Sequence, residues 1–131
     1  MIAVDTNVLV RLLVRDDERQ VARALRLLEQ TREAREIWFV AAPVLCELVW
    51  VLAGVYEVPR KEIAGALATL LGEDLYEVES PAAVAEALDR YRRSRGDFAD
   101  YLVAALARRQ GARLTYTFDR ALRREPDFVV L

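Results

Sequence analysis

The sequence predicts an α/β fold: a three-layer α/β/α arrangement in which a short parallel β-sheet is flanked by helices. Three observations predict it. Short apolar runs alternate with longer stretches whose apolar residues recur at helical spacing. Every connection between the runs is long enough for the crossover that parallel pairing needs. No repeat or linker-like stretch divides the 131 residues, so residues 1–131 are expected to form a single domain.

The elements follow in order. Met1–Val4 is an apolar run closed by Asp5, and reads as a buried strand. Val8–Val14 follows as a short helix, ended by the charged cluster Arg15-Asp16-Asp17-Glu18-Arg19. Val21, Leu25 and Leu28 mark a second helix, with acids at its start and Arg32 and Arg35 near its end, as the helix dipole favours. Ile37-Trp38-Phe39-Val40 is β-branched and aromatic, and is the second strand. Pro43, Pro59 and Pro81 each suit a first helical position, with Ser80 as a cap for the third. Val44-Leu48-Leu52, Ile63-Leu67-Leu70, Val84-Leu88-Tyr91 and Leu102-Leu106 are helical stripes. Gly54, Gly72, Gly96 and Gly111 are expected to end them in left-handed backbone. Strands fit at Leu75–Val78, Leu114–Tyr116 and Phe128–Leu131, and Gly65 alone has no role that its position explains.

Composition narrows the chemistry. The 54% hydrophobic and 31% charged residues suit a compact globule. No uncharged run exceeds 10 residues, too few for a membrane span, and no signal-like leader opens the chain. A cytoplasmic location is expected. Cys46 is the only cysteine and there is no histidine, so internal disulfides, Cys/His zinc sites and Ser-His-Asp triads are excluded. An enzyme of this composition works with carboxylates, and with a hard metal ion that prefers oxygen ligands.

Four acids stand apart from the solvated charge. Asp5 closes the first strand and Asp119 follows a predicted strand in Thr117-Phe118-Asp119. Glu47 interrupts the most apolar helix, and Asp100 opens another in Asp97-Phe98-Ala99-Asp100-Tyr101-Leu102. Asp5, Asp119, and Asp97 or Asp100 could each simply cap a helix. Glu47 is harder to place, because an unpaired carboxylate among apolar residues costs several kcal/mol or takes up a proton. Open α/β sheets put ligands outside the carboxyl ends of their strands, and all four acids fall on that side. Gathered carboxylates need cations, which arginine could supply, or Mg²⁺ or Mn²⁺ with open water positions.

Asp5-Thr6-Asn7-Val8-Leu9, Glu47 in an early apolar helix, Asp97-Phe98-Ala99-Asp100 before an Ala/Leu helix, and Thr117-Phe118-Asp119 together resemble a PIN domain. In length and motif order the chain resembles the VapC-type ribonuclease toxins of toxin–antitoxin pairs, over essentially its whole length. The resemblance implies an α/β/α fold and Mg²⁺- or Mn²⁺-dependent cleavage of RNA. It also implies a homodimer and inhibition by a cognate antitoxin protein. Asp5, Glu47 and Asp100 then match the metal-binding trio, and Asp119 a fourth, more peripheral acid. Thr6, Asn7 and Thr117 match positions that orient those carboxylates, with Asp97 as a cap or outer acid.

The net charge of −2 announces no nucleic-acid binder, but its distribution is uneven. Residues 1–89 carry a net −7 and residues 90–131 a net +5. Arg90, Arg92, Arg93 and Arg95 lead to the Asp97–Asp100 motif, with Arg108, Arg109, Arg113, Arg120, Arg123 and Arg124 beyond. Such a cationic surface suits a phosphate backbone, although 18 Arg to 1 Lys is also what compositional bias produces. Competing readings are a PIN nuclease of RNA processing outside any toxin pair, a binding module with a degenerate metal site, and a haloacid-type phosphatase. The last would want a second Asp where Asn7 stands. Trp50, Val51 and Tyr56 extend apolar character around the Glu47 helix, which points to a subunit interface.

Overall fold

Apolar runs as short as these make only short strands, and each strand of the computed structural model, which describes residues 1–131, is two or three residues long. The chain groups into two compact units, residues 1–81 and 82–131.

In the first unit, β1 (Ile2–Ala3), β2 (Trp38–Val40) and β3 (Tyr76–Val78) pair in parallel in that order. Ile2 faces Trp38 and Trp38 faces Tyr76. Pairing runs past the strand ends: Ile37 and Leu75 carbonyls accept from Ile2 and Trp38 at 2.8 Å, and Val4 N–H donates to Phe39 O at 3.2 Å. The longer strands expected from the sequence reflect those flanking bonds. Helices α1 (Thr6–Val14) and α2 (Glu18–Glu33) cross from β1 to β2, and α3 (Ala42–Gly54) and α4 (Arg60–Gly72) from β2 to β3. Helix α1 packs on α2 and α3, and α4 on α3 and β3. Trp38, Leu45, Leu48, Ile63 and Leu67 are fully buried in this unit. A buried indole N–H needs an acceptor. Trp38 Nε1 finds one in Thr31 Oγ1 at 2.8 Å, and the threonine hydroxyl donates in turn to Leu27 O at 2.7 Å.

In the second unit, α5 (Pro81–Arg93) and α6 (Phe98–Arg109) precede β4 (Thr115–Thr117), a 3₁₀ turn at Arg120–Leu122, and β5 (Phe128–Val130). Strands β4 and β5 pair in parallel, Thr115 facing Phe128. Ala83, Val84, Ala87, Phe98, Tyr101 and Leu122 are among its buried residues. Tyr91 and Phe98 meet edge to face at 6.1 Å, fastening the end of α5 to the start of α6.

The helix ends differ from the sequence expectation. Of the four glycines expected in left-handed backbone, only Gly111 takes it, at φ 93°. Gly54 and Gly72 are still helical, and the chain leaves α3 and α4 through Val55 and Glu73. Left-handed backbone falls instead on Arg15, Arg35, Glu57 and Ser80, with φ between 50° and 57°. Ser80 is therefore not in the extended conformation of a usual capping serine. Pro43 lies in the first turn of α3 and Pro81 opens α5, while Pro59 stands one residue before α4.

Gly65 sits inside α4 with open space around the position of a Cβ. Gly65→Ala is expected to stabilise the fold by about 0.5–1 kcal/mol, the usual helical preference for alanine. Urea unfolding would show a higher midpoint at an unchanged slope; a lower midpoint would contradict the open geometry.

Candidate active site

Strands β1 and β2 are parallel, so their carboxyl ends lie at one end of the first unit's sheet. Asp5 follows β1 at that end, and α3, which carries Glu47, leaves β2 there. Asp5 is exposed and occupies the N-cap position of α1 (φ −86°, ψ 164°), yet its side chain makes no capping hydrogen bond. The capping role open to it in sequence is not the one it takes. Glu47 is exposed. The buried face of α3 is Ala42, Leu45, Leu48, Val49 and Leu52, and Glu47 projects from the other side. The expectation that apolar neighbours would strain Glu47 is therefore corrected: they adjoin it along the chain, not in space. Thr6 is wholly buried and its hydroxyl has no hydrogen-bond partner, a rare condition for a buried polar atom. Asn7 is exposed beside it.

The second unit places Asp100 in the field of two other expected acids, Asp97 and Asp119. Asp97 holds the N-cap position of α6 without a capping bond from its side chain, and Asp100 lies half-buried in the first turn. Burial raises the Asp100 carboxyl pKa above its ordinary value, and the charges of Asp97 and then Asp119 add to the rise. Asp119 does cap: its Oδ1 accepts from Ala121 N–H at 2.9 Å. Thr117 Oγ1 accepts from the Asp119 backbone N–H at 3.0 Å, so it fixes that residue's main chain.

Arginine answers other acids and leaves these alone. Arg90 pairs with Glu125 and Asp127, Arg93 with Asp89, Arg108 with Glu86 and Asp127, and Arg109 with Glu86. Those four arginines are thus each paired with an acid of the chain, although Arg93, Arg108 and Arg109 stay exposed. Arg92, Arg95, Arg113, Arg120, Arg123 and Arg124 remain exposed and in no ion pair. No basic side chain pairs with Asp5, Glu47, Asp100 or Asp119. Within neither unit do three acidic or cysteine side chains gather into a ready metal-binding group. The donors within each unit, Asp5 and Glu47 in the first and Asp100 and Asp119 in the second, are all carboxylate oxygen, the donor type that a hard divalent cation prefers.

Sequence reasoning missed a polar network in the second unit. Tyr101 Oη accepts from Gly96 N–H and donates to Glu125 Oε1, both at 2.8 Å, and Arg90 bridges Glu125 to Asp127. The available signal was a tyrosine at a core position of α6, since a buried phenol needs a partner.

The PIN domain family matches residues 2–126 of the chain. A VapC ribonuclease of Aquifex aeolicus (strain VF5) is 29% identical over 120 residues, covering 92% of this chain and 88% of the relative. No solved structure matches.

Because the folded-state pKa of Asp100 is raised, the folded protein holds that proton more tightly than the unfolded chain does. The associated stability is present at acid pH and is lost as pH rises through the raised pKa. Asp100→Asn cannot ionise. It is expected to raise the Tm of metal-free protein at pH 7 and to leave it unchanged below about pH 3, where aspartates are protonated in both states. A lower Tm at pH 7 would show that the Asp100 charge is compensated.

Proposed function

The chain belongs to the PIN-domain family, and from that membership we propose that it is a divalent-metal-dependent endoribonuclease, the toxin of a VapC-type toxin–antitoxin pair. One observation supports the reading above the rest: in a chain whose arginines pair readily with other acids, Asp5, Glu47, Asp100 and Asp119 have no basic partner. The relative named as a VapC ribonuclease supports RNA as the substrate.

In this proposal Asp5, Glu47 and Asp100 hold Mg²⁺ or Mn²⁺. Asp119, with one oxygen already given to Ala121 N–H, is the peripheral acid. Thr117 fixes the Asp119 main chain, and Thr6, Asn7 and Asp97 are the outer residues of the proposed site. An ion held there would supply a water of lowered pKa and offset charge on the phosphoryl oxygens. Arg113, Arg120, Arg123 and Arg124, free of ion pairs, bind neighbouring phosphates. With no histidine in the chain, the leaving oxygen takes its proton from solvent.

The proposed partners are a cognate antitoxin and a second copy of the chain. Tyr56, read from the sequence as interface, spends its hydroxyl on Asp16 at 2.7 Å, and Val51 is half-buried. Trp50 at 55% and Val55 at 69% exposure are what α3 and its end leave for a partner.

A panel of structured RNAs with Mg²⁺, Mn²⁺ or EDTA tests the activity. Cleavage is expected with either metal, none with EDTA, and none from Asp5→Asn or Asp100→Asn; Asp97→Asn should still cut. Metal-independent cleavage, or activity lost in Asp97→Asn and kept in Asp100→Asn, would overturn the assignment. Light scattering over a dilution series should show a dimer that Trp50→Glu weakens. A strict monomer at micromolar concentration would remove the dimer from the account.

A further inference from the structure

Tyr101 immediately follows Asp100 and is wholly buried. Its hydroxyl accepts from Gly96 N–H and donates to Glu125 Oε1, each at 2.8 Å. Glycine stands at position 96 for space and not for backbone freedom, since a Cβ there would lie 2.5 Å from Tyr101 Oη and 3.1 Å from Leu122 Cδ2. Asp97 is the next residue. The phenol therefore fixes the point from which the Asp97–Asp100 turn departs.

The same network holds the other acid-bearing segment. Glu125 Oε2 accepts from Arg90 Nη2 at 2.8 Å, and the Arg90 fork also grips both oxygens of Asp127 at 2.6 and 2.8 Å. The guanidinium lies 4.6 Å from the Tyr101 ring centre. Glu125 N–H donates to Leu122 O at 3.0 Å, and Leu122 N–H to Asp119 O at 3.2 Å. Thr115 N–H at the start of β4 donates to Asp127 O at 2.9 Å. Asp97, Asp100 and Asp119 thus project from two segments joined through one set of largely part-buried bonds. Like charges on segments joined in this way repel one another.

We propose that Tyr101, with Glu125 and Arg90, is a positioning device that holds the Asp97–Asp100 turn and the Asp119 turn together against the repulsion of their carboxylates. Tyr101 touches no reacting group; it acts through Gly96 and Glu125. The functional weight of the device rests on the proposed roles of Asp100 and Asp119, while its mechanics do not.

Tyr101→Phe tests it in the full chain. The ring stays, and so does the contact with Arg90, but the hydroxyl and all its hydrogen bonds go. Amide hydrogen exchange of the metal-free protein is expected to quicken in residues 94–101 and in residues 117–124 together, and Asp100→Asn in the same chain should undo most of the change. Leu88→Ala, a core truncation in α5 that removes none of the network's hydrogen bonds, controls for general loss of stability and should not reproduce the paired effect. Exchange that quickens only next to Tyr101, or that ignores Asp100→Asn, would overturn the proposal and leave Tyr101 an ordinary core residue. In a direct titration with Mn²⁺, Tyr101→Phe should weaken binding about tenfold, the usual cost of losing an outer supporting group, with the KM for RNA unchanged. If wild-type protein binds no Mn²⁺, the nuclease reading fails, while the exchange result still decides the device.

Discussion

A carboxylate half out of water, with two more carboxylates in its field and no arginine paired to it, raises the free energy of the folded chain until a proton or a cation arrives. Asp100 is in that position. The chain does not lack cations: Arg90, Arg93, Arg108 and Arg109 all find acids in the same unit. Leaving Asp100 and Asp119 unanswered is therefore a selective feature of the arrangement. The Tyr101–Glu125–Arg90 bonds, Gly96 without a Cβ, and the Asp119 cap on Ala121 all hold the segments that carry this unrelieved charge.

The first unit meets the same constraint more openly. Parallel pairing of β1 and β2 places Asp5 and the α3 helix at one sheet end, where strand carbonyl ends leave room for a ligand. Asp5 declines the capping bond that its position offers, and Glu47 faces solvent. Exposed acids cost little by themselves. Their use lies in being available, and the buried, unpartnered Thr6 hydroxyl beside Asp5 adds a polar group with an unmet bond.

Order and type of the elements were legible in the sequence because short apolar runs and helical stripes report burial directly. The PIN-like α/β fold expected from the motifs is the one the family match shows. Helix ends were less legible. Glycine was read as the left-handed residue, but four other residues take that conformation, and Gly96 is dictated by the Tyr101 hydroxyl, a contact invisible along the chain. Asp5, Asp100 and Asp119 could be singled out because each interrupts or closes an apolar run. Glu47 was singled out for burial that the other face of α3 receives instead. The arginines were read as a surface, since sequence shows how many charges there are and not which of them are already paired.

The central claim is that these acids are left uncompensated in order to bind a divalent cation. Thermal melting of EDTA-stripped protein, with Mn²⁺ or Mg²⁺ titrated to millimolar concentration, tests it most directly. A ligand that binds the folded chain alone raises stability by RT ln(1 + [L]/Kd), about 2.7 kcal/mol at a hundredfold excess over Kd. The account predicts a Tm that climbs with either ion, with the climb much reduced in Asp100→Asn and Glu47→Gln. A melting curve indifferent to both ions would contradict it.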